Sequence, residues 1–184
     1  LTVHGAGVNS SSLGAAVGWA REGALALDLN AHGLPNGREK AYYDELAAGE
    51  LKEYRRRGRE SREEIYFLGM FLRLARALDF LTAQPEWDGR ILAVQGSSQG
   101  GFQALVAAGL DSRVTFFAAG VPAMCDHTGV AVGRVNGWPK FLANPPEQLQ
   151  PGKPRVGEAR PELHGSPQQS HRLCSTASSA GCIG

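Results

Sequence analysis

Cysteine is scarce: Cys125, Cys174 and Cys182 are the only three in 184 residues, an odd number and too few for a disulfide framework. Net charge is nearly absent as well. A formal +1 excludes a nucleic-acid or membrane-surface protein that works through its overall field. No apolar run approaches the roughly 20 residues that a membrane span needs. The hydrophobic fraction of 42% suits one domain of ordinary size, which buries about 70% of the surface its unfolded chain exposes. Leu1 already falls within a strand pattern. Any initiator methionine or signal peptide would precede it, so cytoplasmic and secreted locations both stay open.

Proline is distributed unevenly. Pro145, Pro146, Pro151, Pro154, Pro161 and Pro167 are six of the ten, and apolar periodicity stops near Asn144. Residues 1–143 are expected to form a globular α/β domain. Residues 144–184, rich in Pro, Ser and Gln, are expected to form a poorly ordered tail.

Within the globular part, strands alternate with helices. Strand patterns occupy Leu1–His4, Ala24–Leu29, Ile91–Gln95 and Val114–Ala119. A serine-capped helix is expected from Ser10–Ser12 to Gly23, with Leu13, Val17 and Ala20 on one stripe. A loop, NAHGLPNG, separates the second strand from a short helix over Ala41–Tyr54. Ser61 and Glu64 match a capping box, followed by a stripe of Leu68, Phe71, Leu72, Ala75, Leu78 and Leu81 that ends at Pro85. Another helix is expected over Gln99–Gly109. This alternation predicts a mainly parallel sheet with helices on both faces, whose functional groups gather beyond the carboxyl ends of the strands.

At one such end stands Gly96-Ser97-Ser98-Gln99-Gly100, a G-x-S-x-G pattern. Two glycines and a serine are weak by themselves in a chain with 24 glycines, but the setting is specific. The motif follows ILAVQ and opens an Ala/Gly-rich helix, the strand–turn–helix context of a nucleophile elbow. A sharp turn lifts the serine hydroxyl clear of the backbone, and flanking glycines let strand and helix approach. The helix end supplies the Gln99 N–H and a positive dipole where an oxyanion would develop. Ser98 is therefore the expected nucleophile.

His4-Gly5-Ala6-Gly7 follows the first strand. In serine hydrolases of this architecture a loop here supplies the second oxyanion donor, which would be the Ala6 N–H. His4 is expected to line the site and orient this loop rather than act as a base. The same residues admit a rival. Gly5-Ala6-Gly7-Val8-Asn9-Ser10, with Asp28 at the end of the next strand, partly matches a dinucleotide-binding Rossmann fingerprint. Ser10 occupies the place of its third glycine.

HGAG, LDLNAHG, RALDFL, PEWDGRILAVQGSSQGG, LDSRV and GVPAMCDH together resemble the acetyl xylan esterase / cephalosporin C deacetylase family of α/β-hydrolases over residues 1–143. The resemblance implies a serine carboxylesterase that removes acetyl or other short acyl groups from xylan-type carbohydrates through an acyl-enzyme. It implies Ser98 as nucleophile and the Ala6 and Gln99 N–H groups as oxyanion hole, although many members carry an aromatic residue where Ala6 stands. No metal and no organic cofactor are expected. The expected partner is a small acetylated carbohydrate, with no nucleic acid and no membrane; homo-oligomers, common in such enzymes, would be formed by the intact protein.

The triad order in this fold is Ser, then an acid, then His. No later strand carries such a pair: the tail offers His164 and His171 but no Asp. Asp126 and His127, beyond the strand next to the elbow, are expected to line the site without forming a relay. The chain is thus expected to be a fragment lacking its C-terminal part, inactive alone; the alternative is a non-catalytic hydrolase-like remnant. Trp138 is expected to pack rather than stack on a glycan, and Cys125 to pack beside the site as a small hydrophobe.

Overall fold

A computed structural model describes residues 1–129, 134 and 137–141. The expected tail, with its boundary at 143/144 and with His164 and His171, lies outside the described residues. In chain order the elements are β1 (Thr2–Val3), α1 (Gly14–Arg21), β2 (Asp28–Leu29), α2 (Lys40–Ala48), a 3-10 turn (Tyr54–Arg56), α3 (Tyr66–Thr82), β3 (Ala93–Ser97), α4 (Gln99–Leu110) and β4 (Phe116–Gly120). The four strands form one parallel sheet in the order β2-β1-β3-β4. Thr2 stands opposite Asp28 on one side and Gln95 on the other, and Ser97 opposite Gly120. All carboxyl ends therefore point the same way, and the α/β class expected from the sequence holds.

The main core joins Leu74, Leu78 and Leu81 of α3 to Leu92, Val94, Ala104, Ala107 and Val3. A second cluster, Ala31, Tyr54, Phe67 and Met70, packs beneath the loops at the carboxyl end. Fully burying each of these large side chains contributes about 1.5–3 kcal/mol.

Several boundaries differ from expectation. Of Ala24–Leu29, only Asp28–Leu29 is strand, and Leu25 is exposed. α1 turns Leu13 and Val17 to solvent, and only Ala16 is buried. Its serines do not cap it. Ser10 Oγ accepts from Gly37 N–H at 2.9 Å, and Ser11 N–H donates to Asn36 Oδ1 at 2.9 Å, so both residues hold the loop after β2. The helix expected over Ala41–Tyr54 stops at Ala48, before Gly49, and a separate 3-10 turn holds Tyr54.

α3 starts at Tyr66, five residues after the Ser61 cap. Ser61 Oγ meets the Glu63 carboxylate and N–H instead, and Tyr66 N–H donates to Arg57 O at 3.0 Å. The chain is folding back on Gly58, whose φ of +66° accompanies main-chain contact with Glu64 and Ile65. The buried stripe of α3 is accordingly Phe67, Met70, Leu74, Ala77, Leu78 and Leu81, while Leu72 is exposed.

Candidate active site

The β3–α4 turn makes the sharpest bend at the carboxyl end of the sheet. Ser98 has φ +56° and ψ −116°, a conformation that costs a non-glycine residue about 1–3 kcal/mol and persists only where packing enforces it. The enforcement comes from glycines. A Cβ on Gly96 would fall 2.5 Å from the Gly100 carbonyl, and one on Gly101 would fall 2.7 Å from Gly120 O. A Cβ on Gly100 would overlap the Val3 carbonyl and come within 2.7 Å of His4 O. Strand β3, helix α4 and the end of β1 thus touch main chain to main chain. Ser98 N–H donates to Gly120 O at 2.8 Å, while Ser98 O accepts from Ala123 N–H at 2.9 Å and Phe102 N–H at 3.1 Å. The backbone is tied on both sides, and the residue is partly buried.

The loop after β1 lies against this turn. A Cβ on Gly5 would sit 3.9 Å from Ser98 Cβ. Among the described residues, neither the Ala6 nor the Gln99 N–H donates a hydrogen bond. Gln99 opens α4, whose positive dipole end faces Ser98. A free N–H at a positive helix end is the kind of donor that can hold a developing oxyanion.

His4 holds its loop from within: Nε2 accepts from Ala31 N–H at 3.0 Å and Nδ1 bonds Gly5 O at 2.7 Å. An acceptor at Nε2 places the ring proton on Nδ1, and both nitrogens are committed. His32, unnoticed in the sequence, grips the next peptide. Its Nε2 donates to Gly7 O at 3.2 Å and its Nδ1 accepts from Tyr66 O–H at 2.9 Å. Burial pushes its pKa down to about 4, which keeps the ring neutral for this pair of bonds. Tyr54, given no site role by the sequence, is buried; it accepts from Gly7 N–H at 3.3 Å and donates to Gln99 Oε1 at 2.8 Å. Burial raises the phenol pKa, so the donor proton is retained.

The acetyl xylan esterase (AXE1) family model matches residues 1–135. The chain belongs to this acetyl xylan esterase family. It is 37% identical over 125 residues to acetyl esterase Axe7A of Xylanibacter ruminicola, a stretch that is 67% of this chain and 28% of that protein. The acetyl xylan esterase from Paenibacillus sp. R4 superposes with a TM-score of 0.50 at 27% identity, over 72% of this chain and 42% of that one. The chain therefore spans less than half the length of either relative. Membership in the acetyl xylan esterase family sets aside the dinucleotide-binding alternative. The fold disfavours it too: α1 begins at Gly14, not at the glycine loop, and Asp28 Oδ1 accepts from Thr2 Oγ1 at 2.5 Å.

Beyond the neighbouring strand of this acetyl xylan esterase domain, Asp126 turns away from a relay. Arg134 binds both carboxylate oxygens, at 2.6 and 3.0 Å, and holds the acid below its ordinary pKa. His127 packs its ring on Phe141 with centroids 4.9 Å apart, and burial lowers its pKa. Among the described residues no imidazole or carboxylate bonds the Ser98 hydroxyl, and no group of three metal-ligating side chains assembles. Cys125 is exposed, so the expectation that it packs as a hydrophobe is corrected: the turn carrying it points outward. Trp138 packs edge-on against Phe67. A cavity of about 400 Å³ opens toward the amino ends of β1, β3 and β4, beside Trp19 and Ile91, away from Ser98.

One signal could have exposed His32: it stands three residues past β2, at the same end of the sheet as the glycine loop. Tyr54 heads a basic run whose sequence reads as a solvated loop, whereas the residue itself is buried.

Proposed function

We propose that this chain is the nucleophile-bearing part of a serine esterase that removes acetyl groups from xylan-type carbohydrates. The observation that carries the reading is the strained Ser98 at the head of α4, flanked by glycines without room for a side chain. In this reading Ser98 Oγ attacks the acetyl carbonyl after losing its proton to a histidine. The Ala6 and Gln99 N–H groups bind the tetrahedral oxyanion, and its collapse releases the sugar alcohol. Water then attacks the acetyl-enzyme by the same route and regenerates the serine. His4, Asp126 and His127 line the surroundings without a proton-transfer role. The acid and the histidine of the relay are assigned to residues outside those described. Similarity to Axe7A, an acetyl esterase, and to the acetyl xylan esterase of Paenibacillus sp. R4 supports the substrate class.

The test uses the full-length natural protein that carries these residues. A fluorophosphonate probe should label Ser98, and Ser98→Ala should abolish labelling. Acetate should be released from acetylated xylan and from p-nitrophenyl acetate, with peptide anilides untouched. Absent labelling and absent release would overturn the esterase reading. They would favour the second one, a non-catalytic hydrolase-like protein, for which the lack of a partner for the Ser98 hydroxyl among the described residues is the supporting observation.

A further inference from the structure

The buried phenol of Tyr54 lies between the two segments that carry the candidate oxyanion donors. Its oxygen accepts from Gly7 N–H, one residue beyond Ala6, and donates to the side chain of Gln99, whose own N–H is the other donor. Tyr54 is 7% exposed and Gln99 0%. At Gln99 an unmade bond is costly, because its fully buried side-chain oxygen has no water to turn to. Gly7 is gripped on its other side too, its carbonyl accepting from His32. With φ +116°, Gly7 takes a conformation open to few residues, so its peptides have little inherent preference for this orientation. What orients them is the pair of side chains.

Tyr54 and His32 also touch each other edge to face, with ring centroids 4.5 Å apart, and Tyr54 sits 5.3 Å from Tyr66. The phenol is thus held by aromatic packing on one side and by hydrogen bonds on the other. A group so fixed can set a distance.

We propose that Tyr54 is a positioning residue that sets the spacing of the two oxyanion donors by bridging Gly7 N–H to the Gln99 side chain. The role rests on the esterase reading above. Tyr54 touches no reacting atom; it acts through the Ala6 and Gln99 backbones. Because the oxyanion forms only in the transition state, a loosened bridge should lower kcat and leave KM nearly unchanged.

The experiment compares wild type, Tyr54→Phe, Gln99→Met and the double variant in the full-length natural protein. p-Nitrophenyl acetate is the substrate, and amide hydrogen exchange is followed at Gly7. Tyr54→Phe keeps the ring and removes the bridge; Gln99→Met removes it from the other end and serves if the first variant fails to fold. Each single variant should lose about 10- to 100-fold in kcat with KM changed less than twofold, the scale of a small misplacement of reacting groups. The double variant should be no worse than the poorer single one, since both remove one interaction. Gly7 exchange should quicken at least about tenfold while Val94 in β3 stays protected, the expected response to a local opening.

An unchanged kcat in Tyr54→Phe overturns the proposal. So does a loss shared by Val94 protection and KM, which would mark a purely structural residue, and so do fully multiplicative losses in the double variant. A wild type without turnover and without Ser98 labelling fails the esterase reading itself and the positioning role with it. An active wild type with an equally active Tyr54→Phe fails only the latter.

Discussion

Ser98 and its glycines act at the scale of single atoms, and substitutions there should separate chemistry from folding. Ser98→Ala should leave the thermal midpoint unchanged or slightly raised, since the strained turn is retained while a hydroxyl with no partner among the described residues is lost. Esterase activity of the full-length natural protein should fall by a factor of about 10³ or more. Gly100→Ala should act in reverse order. Its methyl meets a carbonyl of the main chain rather than a flexible side chain, so the cost should be about 1–3 kcal/mol or more, seen as a lowered urea midpoint.

His32 supplies a pH test at the same scale. Its folded pKa of about 4 lies below the ordinary value of 6.5, so the unfolded chain binds the proton more readily. The contribution to stability is whole above pH 6.5 and is lost as pH falls through the window down to about 4. The loss amounts to about 3 kcal/mol. His127 shifts in the same direction. The difference in unfolding free energy between wild type and His32→Gln, followed from pH 7 to pH 4, should shrink by about this amount. A constant difference would contradict a neutral, buried imidazole.

At the scale of elements, the facing of α3 is the sharpest contrast between sequence and structure. Leu74→Ala should cost about 2–5 kcal/mol, as expected for truncation of a side chain 2% exposed. Leu72→Ala, at a side chain 59% exposed, should stay within about 0.5 kcal/mol. Urea titration of both variants decides between the two stripes. The period of the helix was legible, and Leu78 and Leu81 lie on both readings. The phase was not, because Phe67, Leu68, Met70, Phe71 and Leu72 are apolar nearly all round and periodicity alone cannot say which side faces the sheet. The start was misread for a related reason. A capping box describes local hydrogen bonding, whereas the first N–H of α3 is claimed by Arg57 across a loop.

α4 was legible almost to the residue, and β3 to within two residues, Ala93–Ser97 against the expected Ile91–Gln95, since an apolar run, a glycine turn and small helical residues all agree there. The α/β class followed from the alternation, and the chain's membership in the acetyl xylan esterase family bears out the resemblance carried by GSSQGG and VPAMCD. The roles of Tyr54 and His32 escaped notice because their partners stand 45 and 25 residues away in sequence. No local pattern encodes a bond of that span.

For the whole molecule, length is the governing quantity. The stretch matched by sequence, 67% of this chain, covers 28% of the acetyl esterase, and the stretch matched by structure, 72% of this chain, covers 42% of the other; among the described residues Ser98 has no proton acceptor within bonding distance. Residues 1–184 by themselves should therefore hydrolyse p-nitrophenyl acetate at a rate lower by about 10³-fold or more than the full-length natural protein, the range seen when relay members are removed. Equal rates would locate the relay within these residues. Among the described residues, a parallel sheet whose outer strands are β2 and β4 also leaves two edges and an exposed Phe116, so the shorter form should associate more readily at high concentration, measured by light scattering.

The bare contact between Gly100 and the Val3 carbonyl reaches beyond stability. Where two main chains meet with no side chain between them, their separation is a van der Waals constant rather than a product of which residues happen to fill a gap. Leucines and valines in the core can be exchanged over generations, and the sheet can flex to suit them, while the gauge between the β1 loop and the serine stays the same.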